Sequence, residues 1–200
     1  MLIWITALHC EAKPIIDHYR LKKSRSHNAF DIYEKDQILC IVSGIGKLAC
    51  AAATAWIAAL NHEVRSIAWI NVGTAGSASH DIGTALLINR ISDESSRHFY
   101  PAPLHNSRFE TAHCLTRNKP STDYHPQQLY DMEASAFYHT ATRFSRAELV
   151  QCVKIISDNH AHQTGRNKAR ISALIHQHID QLAQLAQDLQ TMNERLNWHD

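Results

Sequence analysis

Hydrophobic positions along the chain fall into short apolar runs and into longer segments with helical periodicity. Apolar, often β-branched runs predict strands at 2–8, 29–34, 37–43, 66–72, 84–91 and 149–156. Alanine-rich or amphipathic segments predict helices at 11–19, 47–60 and 134–144, and apolar steps of three and four residues predict one long helix over 167–196. The stretch 93–130 has little periodicity and predicts loops and short strands.

This alternation of strands and helices predicts an α/β fold in which helices cover both faces of one sheet. We expect a three-layer α/β/α sandwich with a central mixed, mainly parallel sheet. No repeat or linker divides the sequence, so residues 1–200 are expected to form a single domain. In such sheets ligands bind outside the carboxyl ends of the strands.

Composition and charge exclude several classes of partner. The twenty Lys and Arg residues nearly balance the nineteen Asp and Glu residues, so net charge attracts neither nucleic acid nor a membrane surface. No apolar stretch reaches the ~20 residues of a membrane span, and the first strand lacks the pattern of a signal peptide. Five cysteines without a CxxC pair predict reduced, buried thiols, and a cytoplasmic location is expected.

Polar or glycine-rich residues follow four of the predicted strands, which should bring them to one rim of the sheet. These segments are 9–11 (HCE), 43–46 (SGIG), 71–76 (NVGTAG) and 157–159 (SDN). The backbone N–H groups of 43–46 and 73–76 could hold an anion or a hydroxyl. A tight strand–helix turn at the first segment and a bend in the sheet at the second are the alternatives.

Three carboxylates near these strand ends have both a catalytic and a structural interpretation. Asp158 could be a shielded proton donor or the N-cap of a following helix. Glu133 could hold the hydroxyls of a sugar or cap the helix that it precedes. Glu11 could be a base or a first-turn carboxylate favoured by the helix dipole.

Histidine pairs at 160/162 and 176/178 raise the question of a metal site. The second pair has a spacing of two residues on a predicted helix, which does not place both rings on one face. Neither pair is accompanied by carboxylates or thiols at ligand spacing. We therefore expect no metal site.

The ordered set of segments resembles the nucleoside phosphorylase/nucleosidase superfamily over residues 3–159. Residues 7–11 (ALHCE) resemble the first-strand segment of methylthioadenosine/S-adenosylhomocysteine nucleosidases, which ends in a catalytic glutamate. Residues 43–57 (SGIGKLACAAATAWI) and 71–76 resemble the second and third signatures. Residues 132–136 (MEASA) resemble the Met-Glu motif, and 156–158 (ISD) resemble the Ser-Asp motif.

The resemblance implies cleavage of the N-glycosidic bond of a purine-type nucleoside. Asp158 would protonate the base at N7, Glu133 would hold the ribose hydroxyls, and Glu11 would activate or place water. The Thr74 hydroxyl would contact the nucleophile or the ribose. The residues that the resemblance assigns to substrate binding are Ser43, Gly44, Thr74, Ala75, Gly76, Cys114, Leu115, Asp131, Met132, Glu133 and Ser157.

Water or phosphate could be the nucleophile. Phosphorylases of this superfamily place arginines near the first strand and before the third signature, and this sequence has none at either position. Hydrolysis is therefore favoured, although Arg97 or an arginine from another subunit could substitute and make phosphate a co-substrate. No cofactor is implied, and the resemblance implies a homo-oligomer, either a dimer or a hexamer.

The base-binding segment between the third and fourth signatures is shorter than in typical members. Residues 114–116 (CLT), followed by Pro120, resemble this segment most closely in hopanoid-associated phosphorylases. Phe109 and Tyr100 are candidates to stack on the base. A homologue that binds a nucleoside without turnover is the alternative from a different class, whereas the missing third glycine excludes a dinucleotide enzyme.

Overall fold

One mixed sheet and five α-helices make up the described part of the protein. The computed structural model describes residues 1–26, 28–64, 66–104, 107–121, 123–159 and 167–197. The strands are β1 Leu2–Thr6, β2 Lys22–Lys23, β3 Asp31–Lys35, β4 Ile38–Val42, β5 Ala68–Ser77, β6 Ala85–Asp93, β7 His98–Phe99, β8 Glu110–Thr116, β9 Leu129–Asp131 and β10 Val150–Asp158. The helices are α1 His9–Tyr19, α2 Lys47–Leu60, α3 Ala134–Ala141, α4 Lys168–His176 and α5 Ile179–Asn197.

The sheet runs in the order β10-β6-β8-β9-β5-β1-β4-β3-β2, and β7 pairs with β6. Because β10 also pairs with β5, the five strands β5, β10, β6, β8 and β9 close into a ring. Among the described residues, five strand pairings are parallel and five are antiparallel. The prediction of a mixed sheet is confirmed, whereas parallel pairings do not predominate.

Helices cover both faces of the sheet, because successive side chains of its strands point to opposite sides. On β1, Ile3 and Ile5 face a core that includes α2 and α3, whereas Leu2 and Trp4 face a core that includes α1, α4 and α5. All four side chains are fully buried. Burial of each aliphatic side chain contributes about 1.5–3 kcal/mol, so this uniformly apolar strand stabilises both layers at once.

The prediction of one long helix over 167–196 is wrong, since the segment forms α4 and α5 with a break between them. His178 lies at the break, and its ring nitrogens are 2.6 Å from the Gly83 carbonyl oxygen and 2.9 Å from Gln181 Oε1. These contacts tie the break to the loop before β6. No described helix is both long and apolar enough to cross a membrane.

The second of the two glycine-containing segments, 73–76, is part of a strand. We predicted that the strand would end at 72, but β5 continues to Ser77 because 73–76 pair with β10 throughout. Lys154 is opposite Gly73 and Asp158 is opposite Gly76, with an irregularity between Ile156 and Asp158. A bulge of this kind redirects the side chains that follow it, here at the carboxyl end of β10.

Candidate active site

A buried ion pair between β10 and β9 lies at the centre of the candidate site. The Lys154 ammonium is 2.8 Å from Asp131 Oδ2, and both side chains are essentially inaccessible to solvent. Asp131 also accepts hydrogen bonds from the Thr116 hydroxyl (2.7 Å) and from the backbone N–H groups of Glu133 (3.1 Å) and Ala134 (2.7 Å). Burial opposes ionisation of both groups, but their mutual attraction lowers the pKa of Asp131 and raises the pKa of Lys154 well above its usual value.

Glu11 is buried at the carboxyl end of β1, where four donors surround its carboxylate. One oxygen accepts the backbone N–H groups of Ala7 (3.0 Å) and Leu8 (2.9 Å), and the other accepts the Thr74 N–H (3.0 Å) and hydroxyl (3.3 Å). Burial raises the pKa of Glu11, and the hydrogen bonds and the charge of Lys154 partly offset this effect. The carboxylate therefore links the ends of β1 and β5.

Glu133 is held by the glycine-containing turn 43–46. Its Oε1 accepts the Gly46 N–H at 2.7 Å, so the anion bound by this turn is a side chain of the protein itself. Gly46 has φ of +98°, a conformation that side-chain-bearing residues rarely adopt. Burial, followed by repulsion from Asp131, raises the pKa of Glu133 to about 7.

Ser43 and Gly44 fasten the same turn to the end of β1. The Ser43 hydroxyl lies 3.1 Å from the Thr6 carbonyl oxygen and 2.8 Å from that of Gly44. The backbone N–H groups of Ser43 and Gly44 donate to the carbonyl oxygens of Thr6 (2.8 Å) and Ala7 (3.1 Å). These bonds keep Gly46, and with it Glu133, beside the first strand.

Asp131 thus contacts the Lys154 ammonium, whose charge also acts on the carboxylates of Glu11 and Glu133. A Cβ placed on Gly73 would lie 3.3 Å from Glu11 Oε1 and 3.4 Å from Lys154 Nζ, which puts both charged groups over this glycine. When Glu11 and Glu133 are both ionised, three carboxylates against one ammonium leave an excess of negative charge. Such a cluster stabilises a positive charge that develops beside it and disfavours binding of an anion.

Asp158 lies farther along the rim, at the end of β10 and beside Gly76 of β5. Its Oδ2 accepts a hydrogen bond of 2.5 Å from the buried Ser157 hydroxyl. The ring of Tyr124 packs directly against Gly76, and burial followed by the charge of Asp158 raises the pKa of the Tyr124 phenol. Asp158 is therefore a partly exposed carboxyl with an aromatic side chain near it.

The two aromatic residues considered for base stacking lie elsewhere. Phe109 is buried in the core beneath α4 and α5, at the amino end of β8 and on the order of 20 Å from Thr116 at the other end. Tyr100 is 65% exposed in the loop after β7. Arg97 pairs with Asp93 at 3.4 Å near the end of β6.

The remaining residues assigned by resemblance have ordinary packing environments. Cys114 is fully buried in the core beneath α2 and α3, and burial raises its pKa well above the usual value. Ala75 is buried, whereas Leu115 and Met132 are half-buried. These residues support the walls of the site and bring no charged group to it.

Lys154 and Tyr124 contact residues of the candidate site but are missing from the sequence-based assignments, and Thr116 appears there only within the segment 114–116. A lysine inside an apolar run that predicts a buried strand is itself a signal, because lysine is almost never fully buried unless it is paired. Thr116 orients Asp131 and also accepts the Ser135 N–H at 2.9 Å. Tyr124 lies in an aperiodic segment, where no sequence pattern indicates its position.

Metal ligation was also considered from the sequence. Within the described ranges, no group of three or more His, Cys, Asp or Glu side chains could hold a metal ion. His160 and His162 lie outside the described residues.

Comparison with known proteins identifies the fold. No family model and no curated protein matches the sequence. Among solved structures, 5′-methylthioadenosine/S-adenosylhomocysteine nucleosidase from Neisseria meningitidis, in complex with methylthio-immucillin-A, superposes with a TM-score of 0.72 at 16% identity, over 91% of this chain and 97% of that one. Arabidopsis thaliana 5′-methylthioadenosine nucleosidase gives a TM-score of 0.75 at 14% identity, over 94% and 95% of the two chains.

A futalosine hydrolase variant from Helicobacter pylori matches equally well, with a TM-score of 0.75 at 13% identity, over 94% of this chain and 98% of that one. The chain therefore has the nucleosidase fold, as the ordered motifs predicted. At these identities the likeness establishes the fold.

Replacement of Asp131 by alanine should destabilise the protein strongly, because it leaves the Lys154 charge buried without its partner. We expect a loss of about 3–5 kcal/mol in the free energy of unfolding, measured by urea denaturation. The control is Asp17→Ala, which removes the exposed Lys13–Asp17 pair and should cost less than about 1 kcal/mol. Equal losses in the two variants would contradict the central role of the buried pair.

Stability should fall between about pH 4.5 and pH 7 through Glu133. Its pKa is higher in the folded state, so the folded protein binds more protons in this window, and Glu133 loses its stabilising contribution as pH rises through about 7. Glu133→Gln removes this titration. The variant should match the wild type at pH 4.5 and be more stable by up to about 3 kcal/mol at pH 8; parallel pH profiles from urea denaturation would refute the assignment.

Proposed function

We propose that this protein hydrolyses the N-glycosidic bond of a purine-type nucleoside, with Asp158 as general acid and Glu133 as the residue that holds the ribose. The observation that carries the proposal is the arrangement of Glu11, Glu133 and Asp158 along one rim of a nucleosidase fold. Each carboxylate is held by backbone or hydroxyl donors, so their positions are defined before a ligand binds.

The chemistry of bond cleavage makes different demands on the two ends of this rim. Breaking the C1′–N9 bond leaves positive charge on the ribose and negative charge on the base. The carboxylate cluster around Lys154 favours an oxocarbenium-like ribose, and a proton donated by Asp158 neutralises the departing base. Lys154 lies opposite Gly73 and Asp158 lies opposite Gly76, and Gly73 and Gly76 are about 10 Å apart along β5. The sugar of a nucleoside can therefore lie near the Lys154 end of the rim while its base lies near Asp158.

The charge balance of the cluster supports water as the nucleophile. Among the described residues, Lys154 is the cation that acts on Glu11, Asp131 and Glu133, and no described arginine acts on these acids. Phosphate would therefore have to approach the three acids when they are ionised. Glu11 and Thr74, which already share a hydrogen bond, are positioned to hold a water molecule. The proposed reaction needs no cofactor.

Structures with the same fold have been solved with ligands of the class proposed. A Chlamydia trachomatis nucleosidase, as an Asp-to-Asn variant, was solved bound to methylthioadenosine. A corresponding kind of variant from Helicobacter pylori carries 5′-methylthioadenosine in its active site. A nucleoside of this class, cleaved with the help of an aspartate, is therefore the first substrate to test.

We also propose that the chain forms a homo-oligomer through the surface beside the turn 43–46. Ile45 is 53% exposed and Leu48 is 89% exposed, and both flank Gly46, which binds Glu133. Apolar side chains grouped at the rim of a site are typical of a surface that another protein covers. A second copy seated there would also enclose the ribose end of the site.

Replacement of Asp158 by asparagine should reduce base release by about 10²–10⁴-fold, the usual contribution of a general acid. The fold should remain, because asparagine retains an acceptor for the Ser157 hydroxyl. Activity is measured by release of adenine from 5′-methylthioadenosine, with melting temperature as the folding check. Asp81→Asn, at an exposed position, is the matched control, and full activity in Asp158→Asn would remove this residue from the mechanism.

Hydrolysis predicts that base release is independent of phosphate. A panel of purine nucleosides is incubated in phosphate-free buffer and with added phosphate, and the sugar product is identified. We expect free ribose or 5-methylthioribose in both buffers. Accumulation of a sugar 1-phosphate, with a strict requirement for phosphate, would establish phosphorolysis instead.

A further inference from the structure

Tyr124 lies in unusually close contact with the carboxyl end of β5. A Cβ placed on Gly76 would lie 2.4 Å from two ring carbons of Tyr124 and 2.5 Å from its hydroxyl oxygen. Real Cβ atoms essentially never approach other atoms so closely, so the ring occupies space that opens only because residue 76 is glycine. The Tyr124 side chain is buried, with 8% of its surface exposed.

This position coincides with the space next to Asp158. Gly76 is opposite Asp158 in the pairing of β5 with β10, and the charge of Asp158 acts on the Tyr124 phenol. A base that receives a proton from Asp158 must come within hydrogen-bonding distance of that carboxyl. The flat, glycine-lined surface at Gly76 is where such a base would lie, and the Tyr124 ring already covers it.

The segment that carries Tyr124 is anchored to β9 and, through the Ser79 hydroxyl and the Pro126 carbonyl oxygen (2.8 Å), to the loop after β5. Tyr124 packs against Tyr130 of β9 with ring centroids 5.4 Å apart. The Tyr130 hydroxyl accepts hydrogen bonds from the His125 N–H (3.0 Å) and from the Gln128 side-chain amide (2.9 Å). Tyr124 itself lies outside the strands and helices. The hydrogen bonds to Tyr130 come from His125 and Gln128, so displacement of the Tyr124 ring does not require them to break.

We propose that the Tyr124 ring occupies the base subsite in the ligand-free protein and must leave Gly76 before a nucleoside can bind. This inference rests on the proposed function, because it takes Asp158 as the proton donor to the base. Tyr124 thereby reduces the fraction of molecules that are competent to bind, and apparent affinity falls in proportion to that fraction.

The test compares Tyr124→Ala with Tyr124→Phe in the full-length protein. The probes are 5′-methylthioadenosine for steady-state kinetics and free adenine for calorimetric binding. Tyr124→Ala should lower KM and the adenine Kd on the order of tenfold, with kcat changed by less than about threefold, because the ring is not part of the chemistry. Tyr124→Phe keeps the ring, so its KM and adenine Kd should stay much closer to the wild-type values than those of Tyr124→Ala. Tyr100→Ala, at an exposed tyrosine, should change neither value.

The contact itself has a separate check that does not depend on activity. Gly76→Ala should lower the melting temperature in the wild-type background, where the added methyl group meets the ring, and should have little effect in Tyr124→Ala. Additive effects of the two substitutions would show that the ring does not lie on Gly76 and would overturn the proposal.

The kinetic outcomes distinguish the two proposals. If the wild type cleaves the nucleoside but Tyr124→Ala has an unchanged or raised KM, the ring does not compete with the base, and only the inference about Tyr124 fails. If no variant, including Tyr124→Ala, binds adenine or cleaves any nucleoside, the proposed function fails and the inference fails with it.

Discussion

The buried ion pair between Lys154 and Asp131 is the interaction on which the rest of the site depends. It connects β10 with β9 inside a closed ring of strands, where neither charge could remain without the other. The Asp131 carboxylate also accepts hydrogen bonds from the Thr116 hydroxyl and from the N–H groups of Glu133 and Ala134 at the start of α3. One carboxylate therefore ties β9 to β10 across the ring, caps a helix and fixes the backbone of Glu133.

The same pair determines the electrostatics of the rim. Lys154 offsets part of the negative charge of Glu11 and Glu133, yet burial keeps the pKa of both acids above the usual value. When Glu11 and Glu133 are ionised, the cluster carries more negative than positive charge and favours a cationic group beside it. This property suits the sugar of a breaking N-glycosidic bond, and it opposes a phosphate nucleophile.

For each of the two glycine-containing segments, the binding role and the structural role that are alternatives in the sequence are compatible in the structure. The turn 43–46 is a tight strand–helix connection and also an anion-binding turn, because the anion that it holds is Glu133. Residues 73–76 continue a strand and also meet Glu11 and Tyr124 closely. Each segment is structural and has groups that face the candidate site.

Local patterns predicted six of the ten described strands, three of the five described α-helices and the fold, because apolar periodicity and ordered motifs depend only on neighbouring residues. They also singled out Glu11, Glu133 and Asp158. Tertiary structure alone decided the break at His178, the partner of Lys154 and the position of Tyr124. Those features depend on contacts between residues far apart in the chain, such as Lys154 with Asp131 and Tyr124 with Gly76, and no local pattern encodes them.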